Sequence, residues 1–456
     1  MLAPAPPVQP VQAALLAVDA SSAPSLHGVH VALGLAKQLG AVTNAAARLV
    51  VLTMGTIDAT LVANAAHGGV WGLGRVLRLE HAALRVQSAD VARSSGAVTP
   101  LARLAPAAEM EASWRDGSRV ARLRTSTAPP PPTAALAHGA YAITGGLGGL
   151  GLRAAALLVE RGASRVVVAS RSGRVARDGQ GLQAQLGSLG AVAAAVACDS
   201  SGDSDVRALL SAHSPAGMVH AAGAADEGLL VTLEARRVEW MFAAKGFGAR
   251  HLHCAAAVGP LEALVLFSSV GSGLGNVGQA NYAAANACLD AHALVRCSHG
   301  VAACSVQWPL VGGAGMGAAA FAAVGERQVA IAGLAGISLE EYAACLGGAL
   351  GASGGAGVQL VHRAGVGALV ADLADASQPR FGELVAESKQ ALSGASAATA
   401  ITAPAASSAL AQSLAPLAPA RRLAHVEGIV LRVVYELTGG AAVSYTHLRA
   451  HETVMN

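Results

Sequence analysis

Ala140-Tyr141-Ala142-Ile143-Thr144-Gly145-Gly146-Leu147-Gly148-Gly149-Leu150-Gly151 is the stretch on which the fold reading turns. Ala140 to Thr144 is a short apolar run that reads as a strand. An Ala/Leu-rich segment, Leu152 to Arg161, reads as a helix. Between them lies Gly146-x-Gly148-x-x-Gly151. Glycines there allow a tight turn and let backbone N–H groups approach a pyrophosphate, whose charge then sits at a helix N-terminus. The same spacing occurs in ordinary Gly-rich turns. The flanking strand and helix favour the dinucleotide reading.

The pattern continues outward. Gly162 ends the helix, and Val166 to Ala169, Val192 to Ala197, Gly217 to His220 and Leu264 to Phe267 read as further strands. Strands alternating with helices predict an α/β fold with a parallel, doubly wound sheet. The glycine turn places Thr144, Gly146, Leu147 and Gly148 around a diphosphate, with Gly149, Leu150 and Gly151 opening the helix. The second strand ends at Ser170-Arg171, followed by Ser172 and Arg174. A carboxylate there would hold the ribose 2′-OH of NAD, whereas an arginine suits the 2′-phosphate of NADP. The alternative is a solvated surface arginine. Asp199, after the third strand, is either an adenine contact or a simple turn residue.

Tyr282 and Asn286 are four apart in a helix-prone run and share a face. Ser269 ends the fifth strand, where α/β sites collect. Reducing a ketone requires a proton donor as hydride arrives. A nearby ammonium can lower a tyrosine pKa from about 10 by about 1–3 units. Lys245 would supply it if the fold brings the two together. Ser269 would orient the substrate oxygen, and Asn286 would hold the lysine or a relay water. The competing reading makes Tyr282 a packed core aromatic and Lys245 a solvated helix residue.

The chain has 456 residues, enough for two to four domains. Apolar residues make up 53% but aromatics only 3%, so alanine builds the cores. Two charge-free stretches, Ala263 to Leu289 and Gly300 to Gly325, contain glycine clusters and polar residues that lipid would leave unsatisfied. Covered α/β strands and helices explain them better, and no membrane partner is expected. A net charge of +3 without basic runs does not call for nucleic acid. The start has no basic region before an apolar run, so no secretory signal is expected. Cys198, Cys254, Cys288, Cys297, Cys304 and Cys345 form no C-x-x-C pair. They read as reduced thiols in a reducing, cytoplasmic compartment, with no metal site. His447 and His451 stand four apart but do not make one.

Two breaks divide the chain. Residues 126–137 contain four consecutive prolines and read as a semi-rigid linker. Residues 388–420, rich in Ala, Ser and Pro, read as a second linker. Residues 1–125 alternate strand and helix patterns: Leu49 to Thr53 a strand, Val70 to Glu80 a helix, Arg85 to Gln87 a strand. They hold no Gly-rich turn and no catalytic set. Residues 138–387 carry the cofactor turn and the polar set. Arg421 to Leu437 is an amphipathic helix.

With these residues in place, the second segment resembles the ketoreductase domain of modular polyketide synthases and related fatty-acid synthases, within the short-chain dehydrogenase/reductase superfamily. The resemblance rests on Tyr141 to Gly151, Ala169-Ser170-Arg171-Ser172, His220-Ala221-Ala222-Gly223, Leu266-Phe267-Ser268-Ser269 and Gly278-Gln279-Ala280-Asn281-Tyr282-Ala283-Ala284-Ala285-Asn286. In most short-chain reductases a lysine stands four residues after the tyrosine. In the synthase ketoreductases an asparagine stands there and the lysine comes from an earlier helix, as Asn286 and Lys245 do here. The resemblance implies NADPH as cofactor, with Ala221, Ala222 and Gly223 beside it. It also implies two Rossmann-like subdomains, the first (1–125) truncated, structural and cofactor-free.

Val70-Trp71-Gly72-Leu73-Gly74-Arg75 and Trp114-Arg115-Asp116-Gly117-Ser118-Arg119 carry that last likeness. It makes Trp71 a packing residue. The region after Trp308 resembles the family's lid and closing helix, ending near Phe381, with Pro309 and Val311 departing from the pattern. Leu274 stands where one stereochemical class has tryptophan. Ala225-Asp226-Glu227 is an imperfect match to the Leu-Asp-Asp of the other, towards which the reading leans. Residues 421–442 resemble the first helix of an acyl-carrier domain, and 443–456 a foreign read-through tail.

The resemblance implies NADPH-dependent reduction of a β-keto group on a phosphopantetheine-linked acyl chain. The partners would be an acyl-carrier domain and other synthase domains. A catalytically silent structural domain and a free-standing short-chain reductase are the alternatives.

Overall fold

The computed structural model describes residues 13–17, 23–40, 48–57, 65–91, 109–114, 118–120, 139–175, 181–224, 226–256, 261–312, 336–351, 357–361, 365–373 and 375–396. The Pro-rich linker at 126–137, the expected carrier helix at 421–442 and the tail at 443–456 lie outside them.

Two sheets organise the chain. The smaller runs β1 (Ala13–Ala17), β2 (Arg48–Met54), β3 (Arg85–Val91), β4 (Glu111–Trp114) and β5 (Ser118–Val120) in sequence order. Its first four strands are parallel and β5 turns back antiparallel. The larger is built from β6 (Ala140–Thr144), β7 (Arg165–Ser170), β8 (Ala193–Ala197), β9 (Gly217–His220), β10 (Ala263–Ser269), β11 (Cys304–Trp308) and β12 (Gly357–Leu360). All its strands are parallel, in the order β12-β11-β10-β9-β6-β7-β8. The winding reverses between β6 and β9, which opens a crevice at the carboxyl ends of those strands. Among the described strands of the smaller sheet there is no such reversal.

The two halves share one core. Val29, Leu49, Trp71 and Leu77 from the first pack with Leu230, Phe242, Ala283, Ala284 and Cys288 from the second. Its centre is the crossing of two helices, an interface helix (Gly68–Glu80) and a tyrosine helix (Ala280–Ser298). Small residues make the close approach possible. A methyl added to Gly68 would lie 2.6 Å from the Cβ of Ala291. One added to Gly72 would run into the carbonyl of Ala283. Trp71 is buried, its indole N–H donating to Thr53 Oγ1 at 3.1 Å.

One expected boundary moves. The catalytic segment does not end at residue 387: a helix, Gly382–Ser396, runs across that point into the expected linker. Leu384 is buried with Leu274, Leu369 and Phe381, and this apolar anchor orders the segment despite its composition. No helix among the described residues is long and apolar enough to cross a membrane.

Candidate active site

The glycine turn lies at the switch point. Ala221 N–H donates to Thr144 O at 2.9 Å, drawing the loop after β9 against the turn after β6. Gly145, at φ +70°, has room for no side chain: a Cβ would sit 2.6 Å from Ala222 N. Gly146 and Gly151 are hemmed in by backbone in the same way. Gly148 is different. A methyl there would meet only Gly145 O, at 3.4 Å. Packing does not demand glycine at this position, which caps the following helix (Gly149–Glu160) with no side chain bonded to its amides. The first turn carries no acid. Open space above free amides at a helix N-terminus fits a diphosphate.

Ser170 ends β7 and Arg171 follows it at the same edge. Ser170 Oγ donates to Arg174 O at 3.1 Å, closing a turn through Gly173 at φ +66°. The exposed Arg171 makes no ion pair among the described residues. Exposure without a pair is what both the 2′-phosphate reading and the surface-arginine reading expect. Asp199 is half-committed: Ser201 N and Oγ both donate to its Oδ1, at 3.0 and 2.8 Å. That geometry is the turn-residue reading.

Lys245 reaches the site from a helical stretch, Ala235 to Ala255, that widens into a π-turn at Ala243–Phe247. Such bulges often mark functional positions. The lysine is 3% exposed, its Nζ donating to Phe267 O at 3.0 Å and lying 5.3 Å from the centroid of the Tyr282 ring. Gly223 lies against this path: a methyl there would lie 2.9 Å from Lys245 Cε. Behind it, buried His220 takes Thr144 Oγ1 on Nδ1 at 2.6 Å and faces Lys245 O through Nε2 at 3.2 Å. Burial, then the lysine charge, lowers its pKa to about 3, so it is neutral.

Ser269 ends β10 and accepts Gly271 N–H at 3.2 Å, capping the short turn Val270–Leu274. Asn286 Nδ2 donates to Tyr282 O at 3.0 Å, and its buried Oδ1 has no partner. Asn281 Oδ1 accepts the Tyr282 N–H at 2.9 Å, while Asn281 Nδ2 donates to Asp226 Oδ2 at 2.5 Å. Asp226 is in turn gripped by Arg237 at 2.6 and 2.9 Å. Ala225 lies outside the described residues. Thus the tyrosine, lysine, serine and asparagine of the sequence reading come together, and Tyr282 is half-buried rather than a core aromatic.

One electrostatic expectation fails. The Tyr282 phenol is not lowered on balance. Burial raises its pKa, and hydrogen bonding with Asn286 and Ser269 only partly opposes this. Burial also lowers the lysine to about 8, with Asp290 opposing. The low-dielectric setting is the largest influence on both groups.

Sequence reasoning noted Leu289-Asp290 after the Gly278–Asn286 run of the resemblance but gave Asp290 no role. It accepts Ser272 Oγ at 2.7 Å, Ser305 Oγ at 2.6 Å and Gln307 Nε2 at 2.8 Å. It stands eight residues beyond Tyr282 on the same helix. Sequence reasoning overlooked the first half's contribution. Arg75 donates to Ser272 O at 2.7 Å, and the Glu80 carboxylate accepts Gly278 N–H and Leu230 N–H.

The comparisons agree with this architecture. The KR domain family model matches residues 139–313. A solved A-type ketoreductase from a modular polyketide synthase is 31% identical with a TM-score of 0.67, covering 80% of this chain and 79% of that one. The first ketoreductase of the tylosin polyketide synthase gives 31% identity and a TM-score of 0.67, covering 83% of each chain. The polyketide synthase GfsA of Streptomyces halstedii is 37% identical over 305 residues, which are 62% of this chain and 4% of that protein. The spectinabilin polyketide synthase protein NorB of Streptomyces orinoci is 41% identical over 220 residues, 47% of this chain and 10% of that protein.

The chain belongs to the ketoreductase domain family of modular polyketide synthases, a short-chain dehydrogenase/reductase fold that implies a nicotinamide cofactor. It spans between 4% and 10% of the length of these two synthases.

Proposed function

We propose that this domain is an NADPH-dependent β-ketoacyl reductase. It would reduce the β-ketone of an acyl thioester carried on the phosphopantetheine arm of an acyl-carrier domain, among the other domains of a synthase. One observation carries the reading: Lys245 Nζ, from a distant helix, stands 5.3 Å from the Tyr282 ring.

When bound, a nicotinamide cofactor would supply the hydride that the β-carbon accepts. Tyr282 Oη gives its proton to the oxygen that becomes the hydroxyl. Its raised pKa keeps the phenol protonated until that moment. Ser269 Oγ hydrogen-bonds the same oxygen and orients it. Lys245 stabilises the tyrosinate left behind, and Asn286 Oδ1, unpartnered in the protein, accepts from the lysine or a relay water. Gly146, Gly148 and Gly151 would admit the diphosphate, and Arg171 would hold the 2′-phosphate.

Tyr282→Phe keeps the ring and removes the acid. NADPH oxidation with a decalone or a β-keto thioester should fall by about 100-fold to 10,000-fold, with cofactor binding retained. Turnover equal to the parent would overturn the assignment. NADPH binding with no turnover of any β-keto thioester by the parent would favour a silent structural domain.

A further inference from the structure

Building on the proposed ketone reduction, we propose that Glu80, in the half without the catalytic set, is a positioning residue that sets the groove over Tyr282. Glu80 is the last residue of the interface helix. Its Oε1 accepts Gly278 N–H at 2.8 Å and its Oε2 accepts Leu230 N–H at 2.7 Å. One carboxylate therefore joins two loops. The first follows β9 and the Ala221-Ala222-Gly223 turn. The second leads into the tyrosine helix, and Gly278 precedes Tyr282 by four residues. The loops also meet directly, through Gly228 N–H to Gly278 O at 2.7 Å.

Helix chemistry does not account for a carboxylate here. At a helix C-terminus it faces the negative end of the dipole. The two amides of the other half do account for it, as charge-assisted donors. Both loops rise from the carboxyl edge of the larger sheet, where a substrate approaches the crevice. The same interface helix holds the neighbouring turn, since Arg75 donates to Ser272 O at 2.7 Å. Glu80 thus fixes the separation of two walls without touching the ketone. Relaxing it would let the ketone tilt and offer its other face to hydride.

The test uses the whole chain with Glu80→Ala and Glu80→Gln, NADPH and the 3-oxopentanoyl thioester of N-acetylcysteamine. The glutamine keeps one acceptor but turns an NH2 towards the other amide, so it should fall between parent and alanine. For Glu80→Ala, kcat/KM should drop about tenfold to a hundredfold. The minor 3-hydroxy enantiomer should appear, and NADPH affinity should not change. Hydrogen exchange should quicken at Gly278 and Leu230 while β9 and β10 stay protected.

Parent-like enantiomer ratio, kcat/KM and exchange would overturn the proposal. So would a loss spread evenly over NADPH affinity and the protection of the whole sheet, which marks a purely structural role. Should the parent fail to reduce the thioester, the ketone-reduction reading falls, and the exchange result alone upholds or overturns the Glu80 tie.

Discussion

Lys245 shows how far a setting can move one residue's chemistry. Its ammonium is buried, bonded to Phe267 O and lowered to about 8 by desolvation, with Asp290 the opposing charge. The ammonium is therefore complete only below about pH 8 and is lost above it. If it stabilises the tyrosinate, kcat/KM for ketone reduction at saturating NADPH should fall on the alkaline side with a midpoint near 8. An unshifted lysine would put that limb near pH 10.4. A profile flat to roughly pH 10 would show that the charge is not used. The same shift has a stability sign. Between about 8 and 10.5 the unfolded chain binds more protons, so the cost of burying this group fades as pH rises through that window. The spacing of Tyr282 and Asn286 was legible because a helix repeats every few residues. The π-turn that aims Lys245 was not, because no local pattern in Ala243–Phe247 announces it.

At the scale of elements, the crossing of the interface and tyrosine helices decides where Tyr282 stands. The alanine-rich composition finds its reason here. Ala283, Ala287 and Ala291 lie so close to Gly68 and Gly72 that a methyl at either glycine would collide with them. Gly72→Ala isolates the effect. As a helix residue alanine should gain about 1 kcal/mol over glycine. Against that, the added methyl meets the Ala283 carbonyl, and overpacking costs about 1–3 kcal/mol. We expect net destabilisation in urea and a loss of reductase activity, because the helix that must yield carries the proton donor. Stability equal to the parent would show that the two helices are less tightly seated.

Strand reading fared best where apolar runs were bounded by glycine or polar residues. Ala140–Thr144 and Gly217–His220 match their expected limits. The strand Cys304–Trp308 was hidden in a charge-free stretch, where buried strand and buried helix look alike. Asp199 carried two readings, and only its bonds to Ser201 show the turn geometry.

Across the whole molecule, one buried carboxylate ties the halves together. Glu111, on β4, accepts from Arg75 at 2.8 Å, Arg78 at 2.7 Å and Arg380 at 3.3 Å. Burial raises its pKa, but Arg75, Arg380 and Arg78 outweigh that and hold the carboxyl well below the usual range. Arg380 passes the tie onward, donating to Gly273 O at 2.8 Å and Leu274 O at 3.1 Å beside Ser269. Glu111→Gln removes the carboxylate shared by three guanidiniums, those of Arg78 and Arg380 buried and that of Arg75 half-buried. A loss of about 3–5 kcal/mol is expected in denaturant unfolding at neutral pH. Since the folded carboxyl is depressed, its contribution is whole above the unfolded pKa of about 4.5 and is lost as pH falls below it. A variant as stable as the parent at pH 7 would show that the cluster adds nothing.

By itself the sequence determined the cofactor half: strand, glycine turn and helix in succession, and the tyrosine and asparagine one turn apart. Those features follow from backbone periods and from the room glycine leaves, which neighbouring residues dictate. Only the tertiary structure decided that Lys245 and Ser269 meet Tyr282. It also decided that Asp290 and Glu80 hold the loops around them, and that the ordered chain continues past residue 387. Such contacts join residues up to 198 positions apart. They depend on how helices with small side chains seat against each other, and no local repeat encodes that.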